Sequence, residues 1–294
     1  MVTRVFTLFL TTILTARLGA AAAAAKPPVD GPQVTWERSF SGALKKAKTA
    51  KKPVMIDFWA EWCGWCHELD RTTYRAPRVV ALADKFVSVK VDTEGSQAEA
   101  RIAAEYRVES LPTIAFVSPE GRLIFRVNGF QRADEFTETL ERALKIGGDV
   151  LSWEEALAAD PNDAAALNKL GAHMFDGELY VESRDLLRRA IVVDAERPSK
   201  ERKRTRTLLG IIQHFDNKPA EAEKILKEAL ELKPADADED AATWYTLGKS
   251  YLKTGKTAEA RRALQTVVES YPQSKPATRA RETLESLASA PAKP

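Results

Sequence analysis

Along the first half of the chain, short apolar runs alternate with amphipathic stretches. Val54–Trp59 is an apolar run of strand length, suited to burial on both faces. Residues 86–91, Thr113–Val117 and residues 123–127 repeat that length. Between them, residues 39–50, 77–84 and 97–106 space their apolar positions at helical intervals, the first with lysines on its outer side. A further helix is expected to begin around residue 63 and to run past Leu69. Pro119-Glu120-Gly121 separates the last two strands with tight-turn residues, which predicts an antiparallel hairpin. Residues 133–146 form a closing amphipathic helix. This order predicts an α/β domain over residues 36–146, a mixed central sheet flanked by helices. From about residue 150 only the helical period persists, so an all-α region is expected over 153–289. Gly147-Gly148 stands between the two and predicts a linker over 147–152.

Three segments of the helical region share one spacing. The first carries Leu167, Leu170, Gly171, Met174, Ser183, Leu187 and Ala190. The second carries Leu209, Gly210, Ala222, Leu226, Ala229 and Pro234. The third carries Trp244, Leu247, Gly248, Tyr251, Ala260, Leu264, Val267 and Pro272. Each sets a small residue where two helices would cross and a turn residue after the second helix. Repetition at this period marks a stacked helical array. These residues resemble the tetratricopeptide (TPR) repeat, the third segment most closely. Arg206 stands where the second segment should carry a large apolar side chain. The first has Ser183 for alanine and Ala195 for proline. Residues 275–288 are expected to form a polar capping helix, and 290–294 a disordered tail. The resemblance implies a groove that holds a peptide or protein partner.

The segment that carries chemistry reads Asp57-Phe58-Trp59-Ala60-Glu61-Trp62-Cys63-Gly64-Trp65-Cys66-His67. It lies between a predicted strand and a predicted helix, where a C-x-x-C reads as a redox pair. Two intervening residues at a helix start bring both sulfurs within disulfide reach. The first sulfur then faces the unpaired backbone N–H groups of the helix, which stabilise a thiolate. Cys63 is therefore the expected nucleophile, and Cys66 the thiol that resolves the mixed disulfide. An acid at Asp57, inside an apolar strand, is costly to bury without a partner.

This run resembles the thioredoxin family over roughly residues 36–146, with Trp65 where proline is usual. The resemblance implies a thioredoxin fold and thiol–disulfide exchange. It makes Asp57 a buried general base that deprotonates Cys66 through water; the alternative is a structural ion pair with Lys90, which the family places nearby. It makes Leu111-Pro112-Thr113 a cis-proline turn, with Pro112 against the active site and the adjacent backbone free to pair with a substrate. Gly129 matches a glycine of the last strand. Trp59 and Trp62 support and flank the site, and packing accounts for most of their presence. Gly64 and Trp65, between the cysteines, adjust the reduction potential. His67 either adds positive field near the thiols or is simply a first-turn helix residue.

Composition narrows the alternatives. The chain of 294 residues is 44% hydrophobic and 29% charged, as a soluble two-domain protein should be. Arg4, the apolar residues 5–14 and the small residues 20–25 predict a signal peptide over 1–25, cleaved after Ala23-Ala24-Ala25. A periplasmic or secreted protein is expected, starting with a Pro-rich extended linker over 26–35. Loss of Arg4 and Arg17 takes the net charge from +2 to 0, so nothing in it seeks nucleic acid. The chain has only two cysteines, in one motif, which makes them reagents rather than staples. A C-x-x-C is also half of a zinc site. The second half is missing, since His173 and His214 belong to the repeat region, so no metal and no cofactor are expected. The basic run 200–206 reads as a solvated repeat entry.

Two function classes remain. One is an exported oxidoreductase acting on protein disulfides or thiols, fed by a membrane thiol–disulfide electron donor if it reduces, or an oxidase or isomerase if it does not. The other is a TPR scaffold whose thioredoxin domain senses redox state.

Overall fold

The computed structural model describes residues 31–195, 201–233 and 235–289. The expected signal peptide, the first half of the extended linker and the C-terminal tail lie outside the described residues. Strands β1 (Trp36–Glu37), β2 (Val54–Trp59), β3 (Val87–Asp92), β4 (Thr113–Val117) and β5 (Leu123–Asn128) form one sheet in the order β1-β3-β2-β4-β5. β3 runs parallel to β1 and β2, whereas β4 is antiparallel to both β2 and β5. β2 is central and buried except at Trp59, which is why its sequence is an unbroken apolar run around Asp57. Helices α1 (Phe40–Ala50), α2 (Gly64–Arg71), α3 (Pro77–Ala83) and α4 (Gln97–Glu105) follow the predicted pattern. Ser39 and Ser96 cap α1 and α4 through side-chain acceptors, and Pro77 opens α3, where its missing N–H costs nothing. The two-residue β1 and a 3-10 turn at Thr73–Arg75 are too short to leave a periodic signal.

The expected linker over 147–152 is corrected. Helix α5 runs unbroken from Ala133 to Ala159. Gly147 is buried where α5 passes β5: a Cβ there would lie 3.1 Å from Ile124 Cδ1. The glycine permits close approach and does not end the helix; its propensity cost of about 1 kcal/mol is tolerated within a packed helix. The second half of α5 therefore continues onto the repeats.

The repeats are α6 (Ala164–Asp176), α7 (Tyr180–Asp194), α8 (Arg202–Phe215), α9 (Pro219–Glu231), α10 (Ala237–Lys253) and α11 (Thr257–Ser270), closed by α12 (Lys275–Ser289). The pairs cross at Gly171, Gly210 and Gly248, against Leu187, Leu226 and Leu264. A Cβ on Gly171 would lie 2.7 Å from Leu187 Cδ2, so only glycine fits without repacking. Ser183, in place of alanine, donates to Gly171 O at 2.8 Å and so is satisfied. Three cations of the basic run are held in ion pairs: Lys203 with Asp240, Arg204 with Asp176 and Glu239, and Arg206 with Glu228; Lys200 lies outside the described residues.

One apolar core joins the sheet to the first repeat. Leu123, Ile124 and Phe136 belong to the same buried cluster as Val150, Leu167, Leu170, Met174 and Leu186. Polar contacts reinforce the junction: Ser118 Oγ and Arg122 Nε each donate to Glu154 Oε1 at 3.0 Å. Among the described residues, no helix is long and apolar enough to cross a membrane.

Candidate active site

The cysteines sit where β2 hands over to α2. Cys63 is the N-cap residue of α2, with extended backbone, and its Sγ accepts the Cys66 N–H at 3.2 Å. The Cys66 and His67 N–H groups also donate to Cys63 O, at 3.1 and 3.2 Å, which locks the first turn. The two sulfurs are joined in a disulfide. Cys63 retains 3% exposure and Cys66 none, so Cys63 is the sulfur at the rim and Cys66 the one beneath.

Aromatic side chains surround the pair. Trp62 and Trp65 are 67% and 63% exposed. Trp62 Nε1 donates to Glu94 Oε1 at 2.9 Å, and Trp65 lies over Phe130 with ring centroids 5.3 Å apart. Gly64, between them, leaves open space where a Cβ would stand. His67 Nε2 faces the Glu61 carbonyl at 2.8 Å, and its ring meets Trp59 edge-on at 6.2 Å. The carbonyl can only accept, so Nε2 carries the proton.

Leu111-Pro112 is a cis peptide immediately before β4. Gly129 N–H donates to Pro112 O at 2.7 Å, pinning the start of β4 to the end of β5. Gly129 has φ +85°, a conformation that glycine adopts at no steric cost.

Asp57 lies at the middle of β2, fully buried and in register with Lys90 of β3. Lys90 Nζ donates to Asp57 Oδ2 at 2.5 Å and meets Asp70 Oδ1 of α2 at 2.9 Å. Among the described residues, Asp57 Oδ1 closes no hydrogen bond of normal length, although the Tyr74 hydroxyl interacts with the carboxylate. Burial pushes the Asp57 carboxyl above the usual carboxylate range, and Lys90 only partly offsets this. Burial also pulls the Lys90 ammonium down, but the charges of Asp57 and Asp70 outweigh it and leave Lys90 above the ordinary lysine value. The arrangement holds a basic carboxylate in the sheet beneath the helix that carries the thiols.

Sequence reasoning missed several neighbours of the site. Asp70 is four residues beyond Cys66, on the same helix face, and that spacing could have flagged it. Tyr74, Trp36, Phe130 and Glu94 come from separate elements and carry no local signal.

Residues 40–144 match the model of a thioredoxin-like domain, and residues 151–201 and 216–284 match tetratricopeptide repeat models. Thioredoxin H5 of Arabidopsis thaliana is 38% identical over 112 residues, which span 37% of this chain and 83% of that protein. The chain belongs to the thioredoxin family. Its thioredoxin domain is also 38% identical over 102 residues to the thiol:disulfide interchange protein DsbD of Vibrio vulnificus (strain CMCP6). That match covers 34% of this chain but only 17% of DsbD, so the chain spans about a sixth of that relative's length. A solved thioredoxin from Thermus thermophilus is 26% identical, with TM-score 0.37, covering 40% of this chain and 91% of its own. The thioredoxin match ends at residue 144 and the first repeat match begins at 151, both inside α5. One helix thus closes the thioredoxin domain and opens the repeats.

Proposed function

We propose that the chain is an exported thiol–disulfide oxidoreductase that reduces disulfides of protein substrates, with its tetratricopeptide repeats recruiting a partner. One observation carries this reading: in a domain of the thioredoxin family, Cys63 caps α2 and its Sγ faces the Cys66 N–H at 3.2 Å. The helix N-terminus favours the thiolate there.

In the reduced protein, the Cys63 thiolate attacks one sulfur of a substrate disulfide. A mixed disulfide forms, and the other substrate sulfur leaves as a thiolate. Asp57 then takes the Cys66 proton, through water. The Cys66 sulfur attacks Cys63, the Cys63–Cys66 bond forms, and the second substrate thiol is released. Two electrons pass to the substrate, and a donor thiol pair must restore the protein; a membrane thiol–disulfide transporter is the proposed donor. The backbone beside Pro112 is the proposed pairing edge for an extended substrate segment. Lys90 holds Asp57; Trp59, Trp62, Gly64, Trp65 and His67 shape the surroundings of the thiols. The name of the DsbD relatives, thiol:disulfide interchange, supports exchange with another protein's disulfide. The leader-like residues 1–25 support export.

The test is the equilibrium potential of the Cys63–Cys66 couple, read by alkylation in defined thiol buffers. A value near −270 mV, about that of thioredoxin, is expected for a reductase. A value near −120 mV, about that of a strong oxidant, would replace reduction with oxidation or isomerisation. If the pair does not cycle, or if Cys63→Ser/Cys66→Ser leaves the cellular phenotype intact, the repeats are the working part and the scaffold reading replaces the enzyme.

A further inference from the structure

Lys90 serves two carboxylates. Its Nζ is 2.5 Å from Asp57 Oδ2, in the sheet, and 2.9 Å from Asp70 Oδ1, on α2. Asp57 is wholly enclosed, whereas the Asp70 side chain is 39% exposed. The ammonium is held between them by aromatic faces: the rings of Trp36, Tyr74 and Trp59 have centroids 4.8, 5.4 and 5.7 Å from Nζ. Such faces attract a cation and restrict where it can move. The Tyr74 hydroxyl interacts with the same carboxylate and favours its charged form, but more weakly than Lys90: no hydrogen bond of normal length joins them, so Lys90 is the close donor to Asp57 among the described residues.

A lysine devoted to Asp57 alone would stabilise the carboxylate and make it a weak base. Asp70 changes this in two ways of the same sign. It claims one of the ammonium N–H groups, and it adds a second negative charge beside the first. Asp70 also lies one helical turn beyond Cys66, so the helix that carries the thiol to be deprotonated carries the residue that adjusts the base. The charged and titratable groups that face Lys90 are Asp57 from β2, Asp70 from α2 and Tyr74 from the 3-10 turn. The rings from Trp36 and Trp59 carry no charge.

We infer that Asp70 is a positioning residue for the resolving step: by sharing Lys90 with Asp57, it keeps the buried carboxylate basic enough to take the Cys66 proton. This rests on Asp57 being the base in the proposed reaction, so the test reads Asp57 itself as well as the rate.

The carboxyl carbon of Asp57 is titrated by NMR in the oxidised full chain, for the unmodified protein, Asp70→Asn and Asp70→Glu. The pH profile of mixed-disulfide resolution is measured on the same three proteins. In Asp70→Asn the Asp57 midpoint is expected to fall by about one pH unit or more, since both the freed lysine and the lost like charge act downward. The rising limb of the rate profile moves to lower pH by the same amount, and its plateau drops because the base is weaker. Asp70→Glu restores both. A purely structural role would lower amplitudes without moving either midpoint. An unchanged Asp57 midpoint in Asp70→Asn overturns the inference. A midpoint that moves while the rate profile stays put shows that Asp57 is not the base, and removes Asp70's role with it.

Discussion

A chain cut after residue 146, where the sequence would end the thioredoxin domain, should lose a large fraction of its stability. A chain cut after residue 195 should not. In the full protein Leu123 and Ile124 are 3% and 2% exposed. The cover on Ile124 includes Gly147 of α5, and that on Leu123 includes the end of α6: a Cβ on Gly177 would lie 3.8 Å from Leu123 Cδ2. His173 Nε2 also faces Leu123 O at 3.3 Å. Cutting at 146 removes all of this and partly uncovers both side chains, at up to about 3 kcal/mol each, hence up to about 6 kcal/mol together. The Glu154 carboxylate that accepts from Ser118 and Arg122 is lost as well. Against a total of about 5–15 kcal/mol for a domain, that is a large fraction. The cut at 195 keeps α6 and α7, and with them Leu167, Leu170, Met174 and Leu186, in the shared cluster. Urea denaturation of both truncated chains, followed by tryptophan fluorescence and by far-ultraviolet circular dichroism, gives the comparison. Equal midpoints and slopes would refute the shared core and restore two independent domains.

Two more predictions concern stability. Lys90→Met leaves Asp57 buried without its cation, which raises the carboxyl further above its unfolded value. A raised acid costs the folded state nothing below the unfolded value, and progressively more as pH climbs towards the folded one. The unmodified protein already carries part of this cost, so the extra loss should be small near pH 4 and grow towards pH 7, at about 1.4 kcal/mol for each unit by which the substitution raises the carboxyl further; urea midpoints that differ from the unmodified protein equally at both pH values would contradict it. Within α5, Gly148→Ala meets nothing within 4 Å and should stabilise by up to about 1 kcal/mol, whereas Gly147→Ala must displace Ile124 and should gain less. Thermal midpoints in the reverse order would show that α5 does not pass β5 as closely as described.

Much of the chemistry was legible in the sequence because it is local. The Cys63–Cys66 spacing, its place between a strand and a helix, and the burial of Asp57 in an apolar run all lie within one stretch of chain, where periodicity and helix-end physics apply directly. The crossing glycines of the repeats were legible for the same reason, since each pattern recurs. Lys90 entered through resemblance, and the β2–β3 register explains it: Asp57 and Lys90 are paired positions. What only the tertiary structure decided is what meets across elements. Asp70, Trp36 and Tyr74 converge on Lys90 from three separate elements, and Phe130 reaches Trp65 from beyond β5. Gly147-Gly148 shows the limit most plainly. As sequence, two glycines read as a break, because glycine is a poor helix former. In the fold, the missing side chain at Gly147 is what lets α5 approach Ile124 and continue. Propensity is a small local energy, and the packing of a shared core overrides it.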